Sequence, residues 1–112
     1  MKMLDSATNR DQKSWPVADW LALERTDALL VDVREPHEFA GGHMPNAINL
    51  PLSQLRDRYT ELPTNREIWT CCGVGQRAYF ATRFLMQHGY RSRNLSGGYT
   101  TYRAFSAVGR KP

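Results

Sequence analysis

Residues 28–34, ALLVDVR, make a short and nearly continuous apolar run bounded by Asp27 and Pro36. A strand buried on both faces reads this way, because both of its alternating side-chain rows need apolar partners. Such a strand needs helices above and below it, and the following sequence supplies them. EPHEFAGG (35–42) opens with a proline suited to a first helical turn and ends in two glycines, predicting one or two turns and a stop. AINLP (47–51) predicts a second strand. LSQLRDRYTEL (52–62) places Leu52, Leu55, Tyr59 and Leu62 on one helical face, with Ser53 as its cap. EIWTC (67–71) predicts a third strand. QRAYFATRFLMQHG (76–89) is the strongest helical pattern, with Ala78, Ala81, Leu85 and His88 or Phe84 facing the core and Gly89 as the C′ residue. YRSRNL (90–95) predicts a fourth strand, and SGGYTTYRAF (96–105) a turn and a terminal helix. Upstream, helical spacing begins at Trp15 and runs through Val17, Trp20, Leu21 and Leu23 or Glu24. Strands and helices alternating in this rhythm predict an α/β fold: one mainly parallel sheet of about four or five short strands with helices on both faces.

The length, 112 residues, fits one domain with a real core. We expect a polar leader at 1–13, a folded unit over 14–105 and a short basic tail at 106–112. The N-terminal MKMLDSATNRDQKSWP lacks the apolar middle of a secretory signal, and no stretch approaches the roughly 18 apolar residues of a membrane span. The expectation is a cytoplasmic protein with reduced thiols and no membrane partner. A net charge of +4 mildly favours small anionic ligands. Its basic residues, Arg56, Arg58, Arg66, Arg91 and Arg93 among them, are scattered, which argues against nucleic acid. His37, His43 and His88 are isolated, and the cysteines lack zinc-site spacing, so neither metal nor cofactor is expected.

The only two cysteines, Cys71 and Cys72, are adjacent, which closes no useful disulfide loop. CGVGQR (72–77) falls where a strand ends, a loop turns and a helix begins. In open α/β sheets ligands bind outside those carboxyl ends. Gly73 and Gly75 allow dihedrals that aim successive N–H groups at one point, and the helix start adds about half a positive charge. The product is an anion cradle with the Cys72 sulfur at its base, a setting that favours a thiolate nucleophile. The bland alternative, a buried and inert cysteine, suits Cys71, whose side chain points to the opposite face.

Three patterns now stand in order: LLVDVREPHEFAGGHMPNAINLPLSQL (29–55), CCGVGQRA (71–78) and GYRSRNLSGGYTTY (89–102). Together they resemble the signature, active-site loop and closing segment of rhodanese-like sulfurtransferase domains. The loop and ending are most similar to rhodanese domains fused to flavin-dependent CoA-disulfide reductases. The resemblance implies a persulfide on Cys72, with Gly73, Val74, Gly75, Gln76 and Arg77 as the substrate- and anion-binding loop. It implies sulfane sulfur moving from a small donor, thiosulfate or a low-molecular-weight persulfide, to a thiol or other nucleophile. A protein sulfur acceptor or flavoprotein partner belongs to the same expectation. The six-residue loop suits a single sulfur atom better than the phosphate of the related phosphatases.

Other positions keep two readings. Arg77 either attracts an anionic donor or pairs with a carboxylate at the helix start. Asp32 and Arg34 brace loops in preference to acting in catalysis, and Glu38 pairs with Arg34 or a backbone donor. Gly97 and Gly98 support a tight turn beside the loop. His43 reads as structural rather than as a base. Cys71 departs from the family pattern and opens a side route to thiol redox chemistry, and Asn46 stands where glycine is common. RSRN is polar for a parallel strand, which puts it at an edge or makes it short. The alternative to an enzyme is a sulfur-carrier or thiol-redox regulatory module acting with a partner protein.

Overall fold

The computed structural model describes residues 17–18, 27–73, 76–95 and 99. Five parallel strands form one sheet: β1 (Val17–Ala18), β2 (Leu29–Asp32), β3 (Ile48–Asn49), β4 (Ile68–Cys71) and β5 (Ser92–Leu95), in the order β1-β5-β4-β2-β3. Among the described residues, three helices connect β2 to β5: α1 (Pro36–Ala40), α2 (Leu52–Arg58), which runs on into a 3-10 turn at Tyr59–Glu61, and α3 (Gln76–Gln87).

Strand alternation divides the core in two. Val31, Val33, Ile68 and Cys72 share one cluster with Leu55 of α2 and with Ala78, Ala81 and Leu85 of α3. Leu30, Trp69, Cys71 and Leu95 share the other with Met44 and Ala47, against which Phe39 of α1 packs. Helices therefore cover both faces, as two-sided burial of β2 and β4 requires. A buried threonine pair locks α3 onto β4. Thr70 Oγ1 donates to the Ala78 carbonyl at 3.0 Å and lies 2.8 Å from Thr82 Oγ1. Leaving one such hydroxyl unpaired in the core would cost about 1–3 kcal/mol.

The helix ends follow local chemistry. Pro36 opens α1, and the Glu38 carboxylate accepts the Glu35 N–H at 2.8 Å. Gly89 (φ +89°) ends α3 in a Schellman arrangement: Tyr90 N–H reaches Leu85 O at 3.0 Å and Gly89 N–H reaches Met86 O at 3.3 Å. Asn46 takes a left-handed φ of 66°, which asparagine tolerates better than most residues.

Two expectations need correction, and a third, an edge position or a short length for β5, resolves to the second. Val17–Ala18 is extended, pairing in parallel with Asn94 and Leu95 of β5. Its helical spacing yields to a β-branched residue that gains sheet pairing with a distant strand; Trp20 to Glu24 lie outside the described residues. Ser53 does not cap α2, since Pro51 holds that position and the Ser53 hydroxyl donates to Glu35 at 3.0 Å. The polar strand β5 is short but is not at an edge, because β1 and β4 flank it. Two of its polar side chains find partners: Ser92 donates to the Ile68 carbonyl at 2.9 Å, and exposed Arg93 pairs with Glu67 at 3.4 Å.

Candidate active site

The strand order creates one switch point. From β2 the chain moves outward to β3, then returns across to β4 and on to β5. The loops leaving the carboxyl ends of β2 and β4 thus diverge, and the crevice between them is the expected ligand position of an open α/β sheet. Arg34 and Glu38 come from the β2 side, Cys72 and Arg77 from the β4 side.

Cys72 stands one residue beyond β4 and is 1% exposed. Its Sγ accepts the Ala78 N–H at 3.3 Å. Ala78 is the third residue of α3, so this N–H is one of the first-turn donors without an intrahelical acceptor. The Cys72 carbonyl accepts the Tyr99 N–H at 2.6 Å. Gly73 follows, with an added Cβ there falling 3.7 Å from Arg77 Nη2. Gln76 is exposed at the start of α3. Val74, Gly75, Gly97 and Gly98 lie outside the described residues.

Arg77 pairs with a carboxylate, though not one on its own helix. Its Nη1 and Nη2 donate to Glu38 Oε1 and Oε2 at 2.7 and 3.1 Å, joining α3 to α1 in a bidentate pair. The Arg77 bonds, helped by the Glu35 N–H, hold the Glu38 carboxyl down at about 2. The same bonds raise the Arg77 guanidinium, and Cys72 and Asp32 act on it electrostatically in the same direction.

Asp32 and Arg34 are buried together. Arg34 Nε and Nη2 donate to the Asp32 carboxylate at 3.0 to 3.1 and 2.8 Å, and the Arg34 backbone N–H is a third donor at 3.0 Å. Arg34 Nη2 also donates to the Gly42 carbonyl at 2.7 Å, and its guanidinium carbon lies 4.5 Å from the Tyr99 ring centroid. Hydrogen bonding to Asp32 raises the Arg34 guanidinium. Asn49 closes the arrangement by donating to the carbonyls of Asp32 and Arg34 at 3.0 and 2.9 Å. The pair thus ties the β2 loop, the turn after α1 and Tyr99 into one unit. Glu38 therefore meets Arg77 and a backbone donor, and Arg34 is taken by Asp32.

Cys71 lies on the other face, fully buried beside Leu30, Met44 and Trp69. Burial pushes its thiol far up, and the negative charge of Asp32 adds to the effect. His43 stacks on Phe39 at 3.8 Å between centroids, with Nδ1 2.9 Å from the Met44 carbonyl. Among the described residues no cluster of His, Cys, Asp or Glu is arranged to hold a metal ion.

Sequence reasoning gave Ala78 only a core-facing position and did not single out Asn49, Gly42 or Tyr99. Gly42 has φ +146°, and a Cβ there would come within 2.6 Å of the Tyr99 hydroxyl. The two glycines closing α1 were a visible signal for a stop, but not for this contact.

Comparison with known proteins agrees with this geometry. The profile of the rhodanese-like domain family matches residues 17–105. A protein named sulfurtransferase from Allochromatium vinosum is 45% identical over 73 residues, covering 64% of this chain and 68% of that one. Reduced Bacillus anthracis CoADR-RHD superposes with a TM-score of 0.79 at 36% identity, covering 84% of this chain but only 17% of that one. The human single-domain sulfurtransferase TSTD1 superposes with a TM-score of 0.70 at 27% identity, covering 80% of this chain and 96% of that one. The profile over most of the chain, the parallel sheet and the strand-to-helix crevice lead to one assignment: this chain belongs to the rhodanese-like domain family.

Proposed function

We propose that the chain is a sulfurtransferase that carries one sulfane sulfur at a time as a persulfide on Cys72. The observation that carries this reading is the Ala78 N–H directed at Cys72 Sγ from the first turn of α3, at the crevice between β2 and β4. A donor pointing at the sulfur from a helix start favours negative charge there, on the thiolate before reaction and on the persulfide after it. Gly73, Val74, Gly75, Gln76 and Arg77 form the surrounding loop in this account, with Asp32, Arg34, Gly97 and Gly98 supporting it.

The chemistry balances in two displacements. With thiosulfate, the Cys72 thiolate attacks the outer sulfur, the S–S bond to the sulfonate breaks, and sulfite leaves with the electron pair. With a persulfide donor the leaving group is a thiolate. The acceptor thiolate then attacks the outer sulfur of Cys72–S–S⁻, and the electron pair returns to Cys72 Sγ. No external oxidant or reductant takes part, and no metal or cofactor is called for. The folded unit in this proposal is 14–105, and the setting is the cytoplasm, where thiol acceptors are reduced.

Steady-state transfer from a donor to dithiothreitol tests the scheme, since a substituted-enzyme mechanism gives parallel double-reciprocal lines. Intersecting lines, or turnover of an aryl phosphate at a comparable rate, would count against it. The chain's 17% share of CoADR-RHD favours a second reading, in which the domain hands sulfur to a partner protein or flavoprotein. The first displacement is the same, and only the acceptor differs.

A further inference from the structure

We infer that Glu38 sets the donor selectivity of this site: by holding Arg77 in a pair of zero net charge, it favours sulfur donors of low net charge over dianionic thiosulfate. The inference rests on the persulfide reading above and adds the substrate class.

Among the described residues, two guanidinium groups approach the crevice, and each is already bound to a carboxylate. Arg34 is tied to Asp32 and to the Gly42 carbonyl. Arg77 is tied to Glu38 through both terminal nitrogens, in the fork geometry that arginine and carboxylate match best. Arg77 is close enough to matter, because its Nη2 lies beside Gly73, the residue after the nucleophile, and Cys72 acts electrostatically on its guanidinium. The guanidinium contributes one positive charge and the carboxylate one negative, so the pair presents a dipole where an unpaired arginine would present a full charge. Glu38 is also anchored from behind by the Glu35 N–H at 2.8 Å, which keeps the carboxylate in place when a donor arrives. An anionic donor seeking Arg77 must therefore compete with a carboxylate already seated. A zwitterionic persulfide has no such competition to win, and its outer sulfur needs only the Cys72 thiolate and the helix-start donors.

Glu38→Gln separates charge from geometry. The amide oxygen can still accept from Arg77 and from Glu35, while the pair changes from neutral to a net positive charge. The readout is the single-turnover rate of sulfur loading on Cys72, measured by intact mass with thiosulfate and with cysteamine persulfide. The expected result is a rise of about tenfold in the ratio of the thiosulfate rate to the cysteamine persulfide rate at low salt, the size expected for one charge acting on a dianion across several ångströms of water. The gain should shrink with added salt and vanish in Glu38→Gln/Arg77→Met. Because it is a ratio, a partly misfolded variant does not mimic it. A wild-type protein that loads Cys72, together with a Glu38→Gln ratio that is unchanged or lower, overturns this inference alone. Failure of the wild type to load from either donor overturns the persulfide reading and this inference with it.

Discussion

Cys71 and Cys72 are covalent neighbours that pack into different cores, Cys71 with Leu30, Met44 and Trp69 and Cys72 with Val31, Ile68 and Ala78. The pleat of β4 separates them, and their chemistry separates with it. Cys71 is fully enclosed, with its thiol pushed up by burial and by Asp32. In a Cys72→Ser protein, iodoacetamide should therefore leave Cys71 unmodified under native conditions and alkylate it once urea unfolds the chain. Rapid native alkylation of Cys71 would show that the two thiols are not partitioned as described. It would also revive a redox role for the neighbouring thiol.

The Asp32–Arg34 pair is predicted to be a stability determinant. Asp32 is fully buried and Arg34 is 6% exposed, so removing one partner strands a charge in the core. Arg34→Met should lower unfolding stability by about 3–5 kcal/mol in urea denaturation. Asp32→Leu/Arg34→Met should recover much of that loss, since replacing both members removes the stranded charge. A single variant as stable as wild type would contradict the brace.

Gly42 makes a second structural prediction. With φ +146° and the Tyr99 hydroxyl 2.6 Å from any Cβ, Gly42→Ala meets both backbone strain and a clash. The expected cost is about 1–3 kcal/mol. Adding Tyr99→Phe removes the hydroxyl but not the strain, so only part of the stability should return. Full recovery in the double variant would mean the backbone at Gly42 is unstrained.

The pH dependence of stability follows from Glu38. Its carboxyl is held at about 2 against an ordinary value of 4.5, so the folded state binds its proton less readily than the unfolded state does. The resulting stabilisation is present above pH 4.5 and is lost as pH falls toward 2. The stability difference between wild type and Glu38→Gln, followed by denaturant titration, should shrink steadily across that window. The pair is partly exposed, with side chains 32% and 38% accessible, so solvent screening keeps the effect modest. A difference that grew on acidification would reverse the assignment.

The sheet was legible because β2, β4 and α3 carry their partners' demands in their own residues. Apolar runs such as LLVD and IWTC announce two-sided burial, and Gly89 announces the end of α3. What escaped depends on segments far apart in the chain. Val17 and Ala18 become a strand only because β5 offers them an edge, a pairing across 77 positions. Arg77 finds Glu38 from 39 positions away, so its choice between an anionic ligand and a carboxylate was undecidable locally. Ala78 contributes through its backbone N–H, and an alanine side chain carries no trace of that role. The glycine-bounded Cys72 was conspicuous by contrast, since its loop, helix start and strand end are all contiguous.

The central claim is tested most directly by intact-mass measurement after exposure to thiosulfate or cysteamine persulfide. The account predicts that the wild-type and Cys71→Ser proteins each gain one sulfur atom, that a thiol acceptor removes it, and that Cys72→Ser gains none. Sulfur that still loads onto the Cys72→Ser protein, or that never loads onto the wild type, would contradict it.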